Sequence, residues 1–188
     1  MSVATTNLDE LVTRADCVVR SEVLSVRCEA RGQGRERHIV TLVRIHVERT
    51  LVGDAASEME LEFLGGKVGS EGMIVHGQPV FTPGDRDILF IRGNTASLCP
   101  LLNVHYGRYW LVPSVDGKSE IVARANGEPL VSIAQISQPA EAADRAGELK
   151  TVTGSSAAPA APLSLAEFET QIISRAGALR QAPTPNQN

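Results

Sequence analysis

Met59, Leu61 and Phe63 alternate with Glu58, Glu60 and Glu62, and no other stretch restricts the fold of this chain as tightly. A period of two places the apolar side chains on one face of an extended segment and the carboxylates on the other, which describes a strand packed on one side and wet on the other. Residues 39–51 repeat the pattern, with Ile39, Thr41, Val43, Ile45, Val47, Arg49 and Leu51 on one parity and Arg44, His46, Glu48 and Thr50 on the other. Strands with one solvated face belong to antiparallel sheets. Aromatic residues make up only 4% of the 188, so the core has to be filled mainly by Val, Leu and Ile, which favours strands over helices.

The remaining segments fall in around these strands. Asn7-Leu8-Asp9-Glu10 has the form of a capping box and predicts a short helix over residues 8–14. Residues 17–27 read as a first strand, followed by the turn Arg31-Gly32-Gln33-Gly34. Between positions 65 and 83, repeated glycines with Pro79 and Pro83 interrupt Met73, Ile74 and Val75, which predicts a long folded-back loop with a brief strand inside it. Further strands are expected over 88–91, 98–104, 108–112 and 121–123, the last two joined at Asp116-Gly117. This order predicts a mainly β protein, a small antiparallel Greek-key barrel of the OB type spanning residues 1–138.

Beyond Gln138 the composition shifts to Ala, Pro, Gly and Ser, and residues 139–163 are expected to be a flexible linker. Ser164-Leu165-Ala166-Glu167 is a second capping box, opening an amphipathic helix over 164–180 ahead of a disordered tail, 181–188. Leu165, Phe168, Ile172, Ala176 and Leu179 share one face of that helix. The face needs a partner, either the barrel or another protein, and Leu165, Phe168 and Ile172 are its candidate contacts.

A net charge of -4 argues against a partner held through its phosphates, and single-stranded nucleic-acid binding ranks last among the functions considered. No apolar stretch approaches the roughly 20 residues of a membrane span, and the first seven residues lack the basic and apolar regions of a signal peptide. Cys17 and Cys28 lie eleven positions apart, an odd offset that sends them to opposite faces of a regular strand, so they are not expected to pair with each other. Free buried thiols or one disulfide through Cys99 both remain open.

Catalytic signatures are missing. Gly65-Gly66-Lys67-Val68-Gly69 fails the phosphate-loop spacing, and neither a nucleophile elbow nor a zinc-protease motif occurs. The expectation is a non-enzymatic module without cofactor or metal, and the alternative is a small metal-dependent hydrolase that brings His76 and His105 together beside Asp85 or Asp87. For ligand binding, Arg31, Arg35 and Arg37 make the first hairpin tip locally basic, while Tyr106, Tyr109 and Trp110 form the one aromatic cluster.

The run from Ala15 to Val23, the segment from Val43 to Gly53 and the segment from Pro83 to Phe90 together resemble the netrin/tissue-inhibitor-of-metalloproteinase class of OB barrels, as in exported bacterial proteins with the same strand and turn pattern. The resemblance covers residues 8–131 and implies a protein-binding module working outside the cytoplasm, periplasmic or secreted. It stops short of the inhibitory mechanism: inhibitors of that class chelate the protease zinc with an N-terminal Cys-x-Cys, and this chain begins Met1-Ser2-Val3-Ala4.

Overall fold

The computed structural model describes residues 6–114, 117–138 and 161–181. In chain order the elements are α1 (Leu8–Arg14), β1 (Cys17–Arg31), β2 (His38–Gly53), β3 (Glu58–Leu64), β4 (Gly66–Val68), β5 (Glu71–Met73), β6 (Arg86–Ile91), β7 (Arg108–Pro113), β8 (Glu120–Arg124) and α2 (Leu165–Gln181). Six strands pair antiparallel in the order β3-β2-β1-β6-β7-β8, and β4 and β5 form a separate hairpin. After the hairpins β1-β2-β3, β6 returns to lie beside β1, which is the spatial order of a Greek key. The expected antiparallel architecture with a short helix at one end of the chain and a longer one at the other is therefore present.

The sheet is open rather than closed into a barrel, and both of its edges are covered by the chain itself. The Asn94 side chain accepts from the Glu62 amide at 3.2 Å and donates to the Glu60 carbonyl at 2.7 Å, doing for β3 what a neighbouring strand would do. Next to it the Leu64 amide donates to the Leu98 carbonyl. At the far edge the Val122 amide donates to the Leu163 carbonyl, and the Leu130 amide donates to the Val122 carbonyl. Edge groups satisfied in this way need no closure, and they offer little to another chain.

Two cores lie on opposite faces. One holds Val18, Ile88, Phe90, Tyr109, Leu111 and Val122 under the two helices; the other holds Cys17, Val19, Val23, Val43, Ile45, Leu61, Phe63 and Leu89 under Phe81 and Leu101. Bulges decide which residue goes where. Register shifts interrupt the β1–β2 ladder three times, and in one of them Leu24 is an extra residue between Val23, opposite Ile45, and Ser25, opposite Arg44. Even-numbered Val26 thus joins the core of odd-numbered Val19 and Val23. Cys28 follows it, so Cys17 and Cys28 share a face, contrary to the parity of a regular strand. All three cysteines are free, and burial pushes the thiols of Cys17 and Cys99 above the ordinary value. Leu51, expected on the face of Ile45, packs in the other core for the same reason.

Residues 98–104 do not form the strand expected of them. Only Leu101 bridges to Ile91, and the chain then turns through left-handed conformations at Asn103 and Val104 into a 3-10 turn, Val104–Gly107. A side chain at Gly107 would bring its Cβ within 2.8 Å of the Leu102 backbone, so the tightness of this turn requires glycine. The other expected boundaries hold closely: α1 is capped by Asn7, which accepts from the Glu10 amide at 2.8 Å, and the β7–β8 hairpin is closed by the Ser114 amide donating to Ser119. Residues 1–5, the pair at 115–116, residues 139–160 of the expected linker 139–163 and residues 182–188 of the expected tail 181–188 lie outside the described residues. Leu163, at the end of the expected linker, is hydrogen-bonded to Leu130 and Val122, and Gln181 ends α2.

The capping box at Ser164 is formed in full: its hydroxyl accepts from the Glu167 amide, and the Glu167 carboxylate accepts from the Ser164 amide at 2.9 Å. Donation from the Ser164 hydroxyl to the same carboxylate at 2.7 Å, together with the Ser164 amide, holds the Glu167 carboxyl below its ordinary value. The helix docks in cis. Phe168 and Ile172 are fully buried against the sheet, with Phe168 4.9 Å from Tyr109 ring to ring, whereas Leu165 is half-buried and Leu179 exposed. The face expected to meet a partner is occupied by the chain's own core. Phe168→Ala should cost about 3–5 kcal/mol of stability, read as a lower denaturation midpoint by circular dichroism, whereas a detachable helix would leave the melting of the sheet unchanged.

Candidate functional site: an apolar cavity held by a buried ion pair

Two charged residues stand inside apolar strands, Asp87 in β6 and Arg108 at the start of β7, and both side chains are almost wholly buried. Arg108 Nε donates to Asp87 Oδ1 at 3.0 Å, and Nη2 donates to Asp87 Oδ2 at 3.0 Å and to Asp85 Oδ2 at 2.9 Å. Nη1 donates to the Val80 carbonyl, and the guanidinium lies 3.9 Å over the Phe81 ring. Burial pushes the Asp87 carboxyl up, and Arg108 pulls it back. The geometry is that of a bidentate, fully hydrogen-bonded buried pair, which ties β6 and β7 to the strap formed by residues 74–85.

That strap roofs a cavity of about 370 Å³ over the inner face of the long β1–β2 hairpin. Val26, Cys28 and Phe63 form the floor; Met73, Val75 and Val80 are part of the rim. Its end wall is Gly66, where a Cβ would come within 2.7 Å of both Thr41 Oγ1 and Cys28 Sγ, so only glycine lets β4 lie this close to the hairpin. The polar atoms of the wall are mostly engaged: Thr41 donates to the Gly65 carbonyl, and Gln78 Nε2 donates to Leu98. Gln78 Oε1 is buried without a hydrogen-bond partner, and the lining as a whole is mainly apolar. At the surface Ile74 is 85% exposed, Val80 53% and the nearby Leu98 67%, an unusual cluster of exposed large apolar side chains.

The structure distributes the expected site residues differently. Arg31 pairs with Glu62 and Glu29, and Arg37 pairs with Glu71, so carboxylates from β3 and β5 neutralise the hairpin tip and leave Arg35 as the arginine of the three without an ion pair among the described residues. The aromatic cluster is separated by strand alternation: Tyr109 faces the helices with half-buried Tyr106 beside it, and Trp110 faces the other way. A shared stacking platform is thereby ruled out. Asp85 and Asp87 are both taken by Arg108, His76 is exposed, and burial holds the His105 imidazole below its ordinary value. Among the described residues, no three His, Cys, Asp or Glu side chains converge to hold a metal ion. A three-ligand metal set drawn from His76, His105 and those aspartates is therefore not formed among the described residues.

A second polar assembly fastens α2. Glu169, almost fully buried, accepts from Arg20 and Arg49, and Glu48 accepts from Arg86 at 2.8 and 2.9 Å beside Arg20 Nε at 2.8 Å. Hydrogen bonds from Arg86, reinforced by Arg20, hold the Glu48 carboxyl below its ordinary value.

No family model matches the chain, and no curated protein or solved structure is significantly similar to it.

Arg108→Met leaves Asp87 buried without its counter-charge and should cost about 3–5 kcal/mol. Adding Asp87→Leu in the same chain should recover most of that loss in a urea double-mutant cycle, and additive losses would mean that the two side chains do not act as a pair. The depressed Glu48 carboxyl favours the folded state wherever it is ionised. Its contribution is complete above the ordinary carboxylate range and disappears as pH falls through the lowered value. Thermal midpoints should therefore hold from neutral pH to about pH 5 and fall below about pH 4, with a shallower fall in Glu48→Gln.

Proposed function

We propose that this chain is a non-catalytic binding module that recognises a protein partner by receiving apolar side chains in the cavity beneath the strap. The observation that carries this reading is the cavity itself. At about 370 Å³ it falls within the size of ligand pockets, roughly 300–1,000 Å³, and its lining is mainly apolar. Its rim exposes Ile74 and Val80, where a soluble surface would ordinarily carry polar residues. The resemblance to netrin-like OB barrels supports the same class of function and a site of action outside the cytoplasm.

The alternatives draw less support. A hydrolase needs a base and an acid close to a common point, and the candidate carboxylates, Asp85 and Asp87, are both engaged by Arg108. Single-stranded nucleic acid needs a basic groove with exposed aromatics, and here Arg31 and Arg37 of the tip are paired with glutamates and Tyr109 and Trp110 are buried on opposite faces.

The test is to pan a library of displayed random peptides against the full chain. Enriched peptides should carry large apolar residues and should bind at least tenfold more weakly to Ile74→Asp and Val80→Asp, substitutions at exposed positions that leave the fold in place. Peptides that bind these variants as well as the parent chain would place recognition elsewhere.

A further inference from the structure

Strand edges expose rows of amides and carbonyls that seek partners, and this protein covers most of its own. Asn94 and Leu98 occupy the outer side of β3, and Leu130 and Leu163 occupy that of β8. Along β1, β6 covers Cys17 to Glu22, and the turn before β6 covers Val23, whose amide donates to Asp85 and whose carbonyl accepts from Gly84. The cover ends there. From Ser25 to Arg31, β1 continues in register with β2 on one side and has no backbone partner on the other among the described residues.

We infer that residues 25–31 are a docking edge for an extended peptide segment of the partner, which adds as a strand beside β1 and turns its apolar side chains into the adjoining cavity. This rests on the binding role proposed for the cavity. The open edge runs for roughly 20 Å at about 3.4 Å per residue, enough for a short strand. Its backbone groups specify the occupant, since unsatisfied amides and carbonyls at strand spacing are matched by another extended backbone. Its side chains specify the pattern. Val26 and Cys28 face the cavity, while Arg27 and Arg31 face the other way and are neutralised by Glu60 and Glu62. The fitting segment alternates apolar and uncharged polar residues, with the apolar parity on the side of Val26. The same paired charges on the outer face disfavour edge-to-edge association of two copies.

The experiment uses the full chain with peptides enriched by panning, each resynthesised with N-methyl groups on alternate residues in both parities. Methylation removes a donor without altering the side chain. The expected result is a loss of affinity of at least tenfold for one parity and little change for the other, together with slowed hydrogen exchange at residues 25–31 on binding. Peptides that depend on Ile74 and Val80 but tolerate both methylation patterns would overturn the edge and leave the cavity standing. Failure to enrich any peptide would overturn both. Protection of residues 25–31 that rises with protein concentration in the absence of peptide would assign the edge to a second copy instead.

Discussion

The strap, the cavity and the β6–β7 junction all depend on the guanidinium of Arg108. Its side chain joins Asp87 of β6, Asp85 at the end of the strap and the Val80 carbonyl in the strap's middle. Isosteric apolar residues often stabilise a core as well as a buried ion pair does or better. They do not, however, hold a backbone carbonyl, two carboxylates and an aromatic face in fixed positions at once. Gly and Pro residues leave the strap little secondary structure of its own, so its path over the sheet is set from outside, by Arg108 together with the burial of Phe81 against Phe63.

α2 is held by a different balance. Phe168 and Ile172 provide the apolar attachment, and Glu169 lies beside them, buried between Arg20 and Arg49. A carboxylate so placed is tolerable only while its arginines are in position, which makes the helix sensitive to orientation as well as to burial. Because Leu163 and Ser164 also pair with the β8 edge, the segment entering α2 is part of the sheet's boundary. The helix belongs to the same folding unit as the strands, although a long stretch of sequence separates them.

Much of the architecture was legible because it follows local patterns. The Asn7 cap of α1, the capping box at Ser164, the alternation in β3 and the glycine turn after β1 each depend on residues a few positions apart, although Glu10 pairs with Arg14 and so leaves the first expected capping box as a single cap. The closed barrel and the strand at 98–104 were overestimated, because what replaces them is non-local: Asn94 reaching across to Glu60 and Glu62, and a left-handed pair at Asn103 and Val104 held by the closeness of Gly107 to Leu102. The site was less legible still. Composition made the hairpin tip look basic, since the glutamates that neutralise it come from other strands. One signal did stand in the sequence: Asp87 beside Ile88 and Leu89, and Arg108 beside Tyr109 and Trp110, are charges embedded in apolar strands, where only a buried partner of opposite sign makes them affordable.

The character of the cavity floor depends on a single inserted residue. In a regular strand the parity that buries Val19 and Val23 would continue through Ser25, Arg27, Glu29 and Arg31, and the cavity would be lined with charge. Leu24, half exposed and opposite no residue of β2, shifts that parity by one. Val26 and Cys28 then face inward, and the arginines turn outward to meet the glutamates of β3. The bulge falls just past Val23, where the turn before β6 stops covering β1. The place where the edge opens and the place where its inner face becomes apolar past the core are therefore the same, and the first is useful to a partner strand only because of the second.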